Sequence, residues 1–282
     1  MILKAINPGF FKLDGGAMHG VVPKSIWNRF NPADEHNLCQ WALRCLYVEV
    51  GEKRLLIDSG MGKKQPESFL KHYQCSGEHD IRKSLDLSQI HPESITDVFL
   101  THLHFDHVGG ATMLNAQGES VLSFPNAHHW VSAAQWQWAM QPNDREKASF
   151  LKENLLPLQN SGKLSLLKNT DSPFAFMSIL QMGGHTEGQL LPLIDLPNGR
   201  TLAYCADLIP SCGHLPIPYV MAYDVKPLQS MEEKASFLER ALHENWILFF
   251  EHDPLIECAE LEQTDKGIRA SRTGTLAEAL LW

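Results

Sequence analysis

The ten residues 101–110, THLHFDHVGG, put three imidazoles and one carboxylate into six consecutive positions. Directly before them, ITDVFL is apolar and β-branched over a short span, the pattern of a buried strand that delivers His102 at its end. In an extended chain, residues two apart point the same way, so His102 and His104 can grip one ion. Asp106 and His107 fall where the chain turns and can reach a second. Neutral imidazole and carboxylate are the ligands zinc takes when sulfur is absent. Gly109 and Gly110 then let the backbone turn tightly without side-chain crowding.

One tetrad cannot complete two metal sites, so further ligands are expected from elsewhere. Three candidates sit at the ends of other apolar runs. His185 lies in GGHTEG, just after a strand pattern ending at Met182; Asp207 ends TLAYCAD; His252 ends WILFFEH. Each has an ordinary reading alone, as a turn histidine, a helix-capping aspartate or an exposed terminal histidine. Their shared place, the C-terminal end of an apolar strand, sets them apart.

The intervening patterns describe a layered α/β chain. Residues 42–50 and 53–60 read as strands joined by a hairpin at Gly51-Glu52, and 128–132 as a short strand. Residues 132–141, opened by a capping Ser, and 143–158 read as helices. Strands return at 174–182, 190–196 and 201–207, with Asn198-Gly199 as a hairpin turn. An amphipathic helix over 230–245 and a strand over 246–252 follow. The hexapeptide EKASFL occurs at 146–151 and again at 233–238, read as a shared way of starting a helix. With no low-complexity segment or linker in view, residues 1–282 are read as one domain.

A net charge of −9 is the wrong sign for a phosphate-binding partner, so nucleic acid is not expected. No apolar run reaches membrane-spanning length and no signal peptide is seen, so no membrane partner is expected. The six cysteines form no C-x-x-C pair, which points to reduced thiols in the cytoplasm.

THLHFDHVGG, then GGHTEG, then an Asp after a strand, then a late His, resembles the metallo-β-lactamase fold hydrolases, and the motifs span residues 58–252 in family order. The resemblance implies a four-layer αββα sandwich and two Zn²⁺ per chain, other divalent metals being possible. His102, His104 and His185 would hold one zinc, Asp106, His107 and His252 the second, and Asp207 would bridge them. Asp58, in LLIDSG, matches the family's early Asp-x-Gly motif and would support the ligands from behind. Two metals sharing a water lower its pKa towards neutrality, giving hydroxide at physiological pH, and one metal polarises the substrate's oxygen. Asp106 is the expected catalytic proton shuttle.

Within the family, the all-His and Asp ligand set with HTEGQ is most similar to the dizinc lactonases, which implies a small-molecule lactone or related ester as substrate and a homodimer. Phosphotriester and thioester hydrolysis on the same metals are the alternatives, and a metal-binding protein without turnover is the third. Lactonases of the homoserine-lactone group carry a tyrosine three residues after the bridging Asp; here that position is Pro210. His214 and Tyr223 are the nearby residues that can supply a donor instead. The segment DGGAMHGVVPKSIWNRFNP resembles one that helps wall the pocket in a lactonase-like and organophosphate-hydrolase-like subgroup, although Val21, Val22 and Trp27 read equally as packing residues. The aromatic-rich stretch 132–158 can cap a pocket or fill the core.

Overall fold

The computed structural model describes every residue from Met1 to Trp282. The chain divides into two compact units, one formed by Met1–Phe11 and Leu43–Asn169, the other by Lys12–Ala42 and Thr170–Trp282.

The first unit is built on a six-stranded sheet in the order Ile2–Ile6, Cys45–Val50, Lys53–Ile57, Asp97–Phe99, His128–Ser132, Leu164–Leu167. The first three strands pair antiparallel, and Gly51, with φ +58°, makes the hairpin expected between the second and third. From Lys53–Ile57 onward the pairing is parallel. Central parallel strands are covered on both faces, and Leu55, Leu56, Ile57, Val98 and Phe99 are all fully buried. The helices Ile81–Leu87, Ala133–Met140 and Lys152–Asn160 contribute Leu85, Trp136 and Leu155 to one core with Tyr47, Leu56 and Val98. Ser132 caps the second of these helices through Gln135 N, as its position predicts.

Residues 143–158 are not one helix. Asn143 Oδ1 accepts from the amides of Arg145 and Glu146, which holds residues 144–149 in turns, and the helix begins only at Lys152. This local side-chain bond competes with helix formation and wins. The first EKASFL copy therefore lies in turns. The second lies inside the helix Pro227–His243, so neither copy starts a helix. Trp136 and Phe150 from this aromatic stretch are buried in the core.

The second unit carries another six-stranded sheet, ordered Met177–Met182, Gln189–Asp195, Thr201–Tyr204, Ile247–Phe249, Cys258–Thr264, Gly267–Gly274. All pairs are antiparallel except Thr201–Tyr204 with Ile247–Phe249. The helix Pro227–His243 starts three residues earlier than its apolar pattern, because Pro227 at its first turn has no N–H to leave unsatisfied. It buries Phe237, Leu238 and Ala241 against Leu191, Ala203, Leu248 and Phe250. Truncating a fully buried ring such as Phe237 to alanine costs about 3–5 kcal/mol in such a core. Each unit is thus built on one six-stranded sheet with helices packed against it, the mixed α/β build that the motifs imply, and a two-stranded and a three-stranded sheet are added to these. All six cysteines are free, and no helix is long and apolar enough to cross a membrane.

Candidate metal centre

In the first unit the strand Asp97–Phe99 runs on through Leu100, whose amide bonds Trp130 O, and brings Thr101 and His102 into full burial. The chain then closes one helical turn, Phe105–Val108, with the amides of His107 and Val108 on His104 O. The rings of His102 and His104 lie 4.6 Å apart, and those of His102 and His107 lie 3.8 Å apart. Each offers a nitrogen within 4.8 Å of a neighbouring donor atom of the set, as His102 and His104 do for one another.

Asp58 organises this cluster. It follows the strand Lys53–Ile57 in a left-handed conformation, φ +57°, which Asp tolerates better than most residues. Its buried carboxylate accepts from Thr101 N at 2.8 Å, Thr101 Oγ1 at 2.6 Å and His107 Nδ1 at 3.1 Å. Since the Thr101 hydroxyl donates to Asp58, His102 Nδ1–H is left to donate to Thr101 Oγ1, at 3.1 Å. His104 is held at Nε2 by Glu146 Oε1, at 3.3 Å.

The backbone behind the tetrad is packed to contact. Ser59 N and Oγ both bond His107 O, and Gly110 N bonds Gly60 O. A Cβ on Gly109 would lie 2.0 Å from Met61 O, and one on Gly110 would lie 2.0 Å from Ser59 O. The double glycine is required by this close approach.

In the second unit His185 follows the strand Met177–Met182 in a loop bound to the helix Pro227–His243. Glu233 accepts the amides of Gly183 at 2.9 Å and Gly184 at 3.0 Å. His185 Nδ1 donates to Asp224 Oδ1 at 2.9 Å, and Nε2 lies 3.1 Å from Asp207 Oδ2. Burial pulls the His185 pKa down, but the charges and hydrogen bonds of Asp207 and Asp224 outweigh it and raise it to about 10.

Asp207 stands on a 3-10 turn, Ala206–Leu208, just past the strand Thr201–Tyr204 and not at its end, and Ala206 is left-handed at φ +42°. While Asp207 Oδ2 faces His185, its Oδ1 faces His252 Nε2 at 3.1 Å. His252 lies beyond the strand Ile247–Phe249, with Nδ1 on Ala42 O at 2.7 Å and its amide on Pro210 O at 3.1 Å.

The donor chemistry fits divalent metal. His102, His107, His185 and His252 are each anchored at Nδ1, and His104 at Nε2, by a hydroxyl, carboxylate or carbonyl. Such bonds fix the tautomer and turn the opposite nitrogen into the ligating one. Asp207 has one oxygen for each of two imidazoles, the disposition of a carboxylate shared between two ions.

Of the proposed substrate contacts, His214 is fully buried with both nitrogens engaged, Nδ1 with Ser211 Oγ at 2.8 Å and Nε2 with Met18 O at 2.9 Å. It stacks 4.3 Å from His19, which stacks in turn on Trp27, and burial holds its pKa well below 6.5. It is a neutral packing residue and not a solvent-facing donor. Tyr223 is 39% exposed. In the N-terminal segment Val22 and Trp27 pack down as expected, but Val21 is 91% exposed.

Asp224, Glu146 and Glu233 carried no signal of a role at the motifs. Asp224 is 39 residues from His185 and Glu146 is 42 from His104. The repeated hexapeptide was the only hint, since both of its glutamates serve these loops.

The metallo-beta-lactamase superfamily model matches residues 44–252. No curated protein sequence matches the chain. Among solved structures, a probable metal-dependent hydrolase from Staphylococcus aureus is 29% identical, with a TM-score of 0.88 over 97% of this chain and 96% of its own. AidC, a dizinc quorum-quenching lactonase, is 21% identical, with a TM-score of 0.79 over 97% and 95%. The hydrolase AbOPH of the beta lactamase superfamily is 20% identical, with a TM-score of 0.78 over 95% and 92%. The chain belongs to the metallo-beta-lactamase superfamily of metal-dependent hydrolases.

Proposed function

We propose that this protein is a dinuclear zinc hydrolase that opens a lactone or cleaves a related ester of a small molecule. The observation that carries the reading is Asp207, with Oδ1 and Oδ2 each 3.1 Å from the Nε2 of a different histidine. His102, His104 and His185 would hold one ion, Asp106, His107 and His252 the other, with Asp207 between them. The family model spans both sets of donors, which supports treating residues 1–282 as a single hydrolase domain. The likeness to a dizinc lactonase supports both the metal and the substrate class.

When bound, two zinc ions supply a water acidic enough to attack at neutral pH and an electrophile for the carbonyl oxygen. The chain's own residues do the rest. The ring anchors orient the imidazoles, which then need not reorganise during reaction. Asp106, a carboxylate on the same helical turn as His107, takes the proton of the attacking water and returns it to the leaving alkoxide. Pro210 has no hydroxyl to assist the carbonyl and instead fixes His252 through its backbone oxygen. With His214 enclosed, Tyr223 is the donor candidate from that region. The free thiols support a cytoplasmic enzyme, and the family resemblance supports a homodimer.

Elemental analysis of purified protein should find about two zinc per chain. Fewer than one, without recovery on adding metal, overturns the reading. Asp207→Ala should abolish turnover across lactones, aryl esters, phosphotriesters and thioesters and loosen the metals; full activity in that variant would remove Asp207 from its bridging role. The ranking within the panel decides between lactone and the other substrate classes.

A further inference from the structure

Glu146 opens the first EKASFL copy, and its buried carboxylate is enclosed by donors of fixed identity. Oε2 accepts from Trp138 Nε1 at 2.6 Å and from Asn143 Nδ2 at 2.7 Å. The indole nitrogen can only donate. The Asn143 amide has no choice of orientation either, because its Oδ1 already accepts from the backbone amides of Arg145 and Glu146, at 2.8 and 3.1 Å. The remaining oxygen, Oε1, faces His104 Nε2 at 3.3 Å, while Phe150 packs on the same ring at 5.0 Å.

From this enclosure we infer that Glu146 is a positioning residue that selects the Nε2–H tautomer of His104 and so directs its Nδ1 lone pair at the metal. The inference rests on the proposed dizinc reading for what His104 binds, but the tautomer is a property of the chain itself. With Trp138 and Asn143 both donating to Oε2, Glu146 is bound as an acceptor, so it is Nε2 that carries the proton towards Oε1 and Nδ1 that is the basic nitrogen. The other four ligand imidazoles are held at Nδ1. His104 would therefore ligate through its Nδ1, with Glu146 on the opposite nitrogen.

The design of the pocket makes Glu146→Gln a sharp test. Two donors aim at Oε2, so the glutamine oxygen must take that place, and its NH₂ then faces His104. His104 Nε2 becomes an acceptor, the proton moves to Nδ1, and the ligating lone pair is lost. A residue that served only to fill space and bond Trp138 and Asn143 would tolerate glutamine without change.

Long-range ¹H–¹⁵N correlation of the imidazoles in metal-free protein should show His104 protonated at Nε2 in the wild type and at Nδ1 in Glu146→Gln. Zinc affinity by chelator competition should fall about 10–100-fold in the variant. A wild-type His104 protonated at Nδ1 overturns the inference, and this measurement needs no folded variant. So does a Glu146→Gln protein with wild-type zinc affinity and an unchanged tautomer. If the wild-type chain itself bound no zinc, the proposed function would fall and the metal-directing role with it; wild-type binding that glutamine leaves intact defeats the role of Glu146 alone.

Discussion

Gly110→Ala is a substitution of one methyl group that should disable the first donor set from behind. Gly110 is not left-handed, so an L side chain meets no torsional objection; the obstacle is space. Its Cβ would stand 2.0 Å from Ser59 O, and about 1 Å of backbone movement is needed to reach even a tight contact. The movement cannot be absorbed by a side chain. Ser59 is bonded to His107 O through both N and Oγ, Gly110 N is bonded to Gly60 O, and Asp58 sits next along the chain with His107 Nδ1 on its carboxylate. Overpacking costs about 1–3 kcal/mol, and straining or breaking two of these hydrogen bonds adds about 1 kcal/mol each. The expected loss is about 3–5 kcal/mol, read from urea denaturation of metal-free protein. A shift of about 1 Å at His107 should also lower turnover of the zinc-loaded enzyme by about two orders of magnitude. Gly118→Ala is the control: Gly118 has φ +79° but nothing within 4 Å of the added carbon, so only the left-handed torsion opposes it, at about 1 kcal/mol. If Gly110→Ala lost no more stability than Gly118→Ala, the close-approach argument for the double glycine would be wrong.

Two further outcomes follow from the buried polar groups. Asp224→Ala removes the 2.9 Å anchor at His185 Nδ1 and should weaken zinc binding by about 10–100-fold in chelator competition; unchanged affinity would show that the loop alone orients His185. His129 is fully buried in the strand His128–Ser132, and burial, with His128 and Lys163 nearby, lowers its pKa from 6.5 to about 4. Above pH 6.5 the folded and unfolded chains are both neutral there. As pH falls from 6.5 towards 4, the unfolded chain takes up a proton that the folded one refuses, so stability is lost, by up to about 3 kcal/mol. His129→Leu should flatten that part of the acid limb in metal-free protein, and an unaltered limb would place the titration elsewhere.

The ligand candidates were legible because metal chemistry restricts residue type and the strand ends restrict position. THLHFDH declares itself by spacing, and His185, Asp207 and His252 by what precedes them. Their anchors obey no such restriction. A ring nitrogen accepts a threonine, a carboxylate or the carbonyl of Ala42 equally well, from any distance along the chain, so Asp224 and Glu146 leave no local mark. The fold shows a similar division. Central strands such as 53–57 and 97–99 end in the apolar, buried runs Leu55-Leu56-Ile57 and Val98-Phe99 and stand out. The hairpin Cys258–Thr264 and Gly267–Gly274 carries Glu260, Glu262, Arg269 and Arg272 among few apolar residues and has no apolar run to mark it. The helix read over 143–158 failed at Asn143, whose side chain outcompeted a periodic pattern that was otherwise correct. His214 reads as a donor candidate because sequence does not show the stacking rings that enclose it.

Each ring anchor belongs to the same unit as the ring it holds, and this gives the protein a chronology. The first unit ends at Asn169, before any residue of the His185 loop has been synthesised. A chain leaving the ribosome N-terminus first can therefore set His102, His104 and His107 while His252 is still untranslated, since units tend to fold as they emerge. The second unit must wait longer, because it joins residues 12–42 to the last third of the chain. On the proposed ligand set, the four donors of the first unit would be ready before the three of the second, leaving the nascent protein for an interval as a half-built chelator.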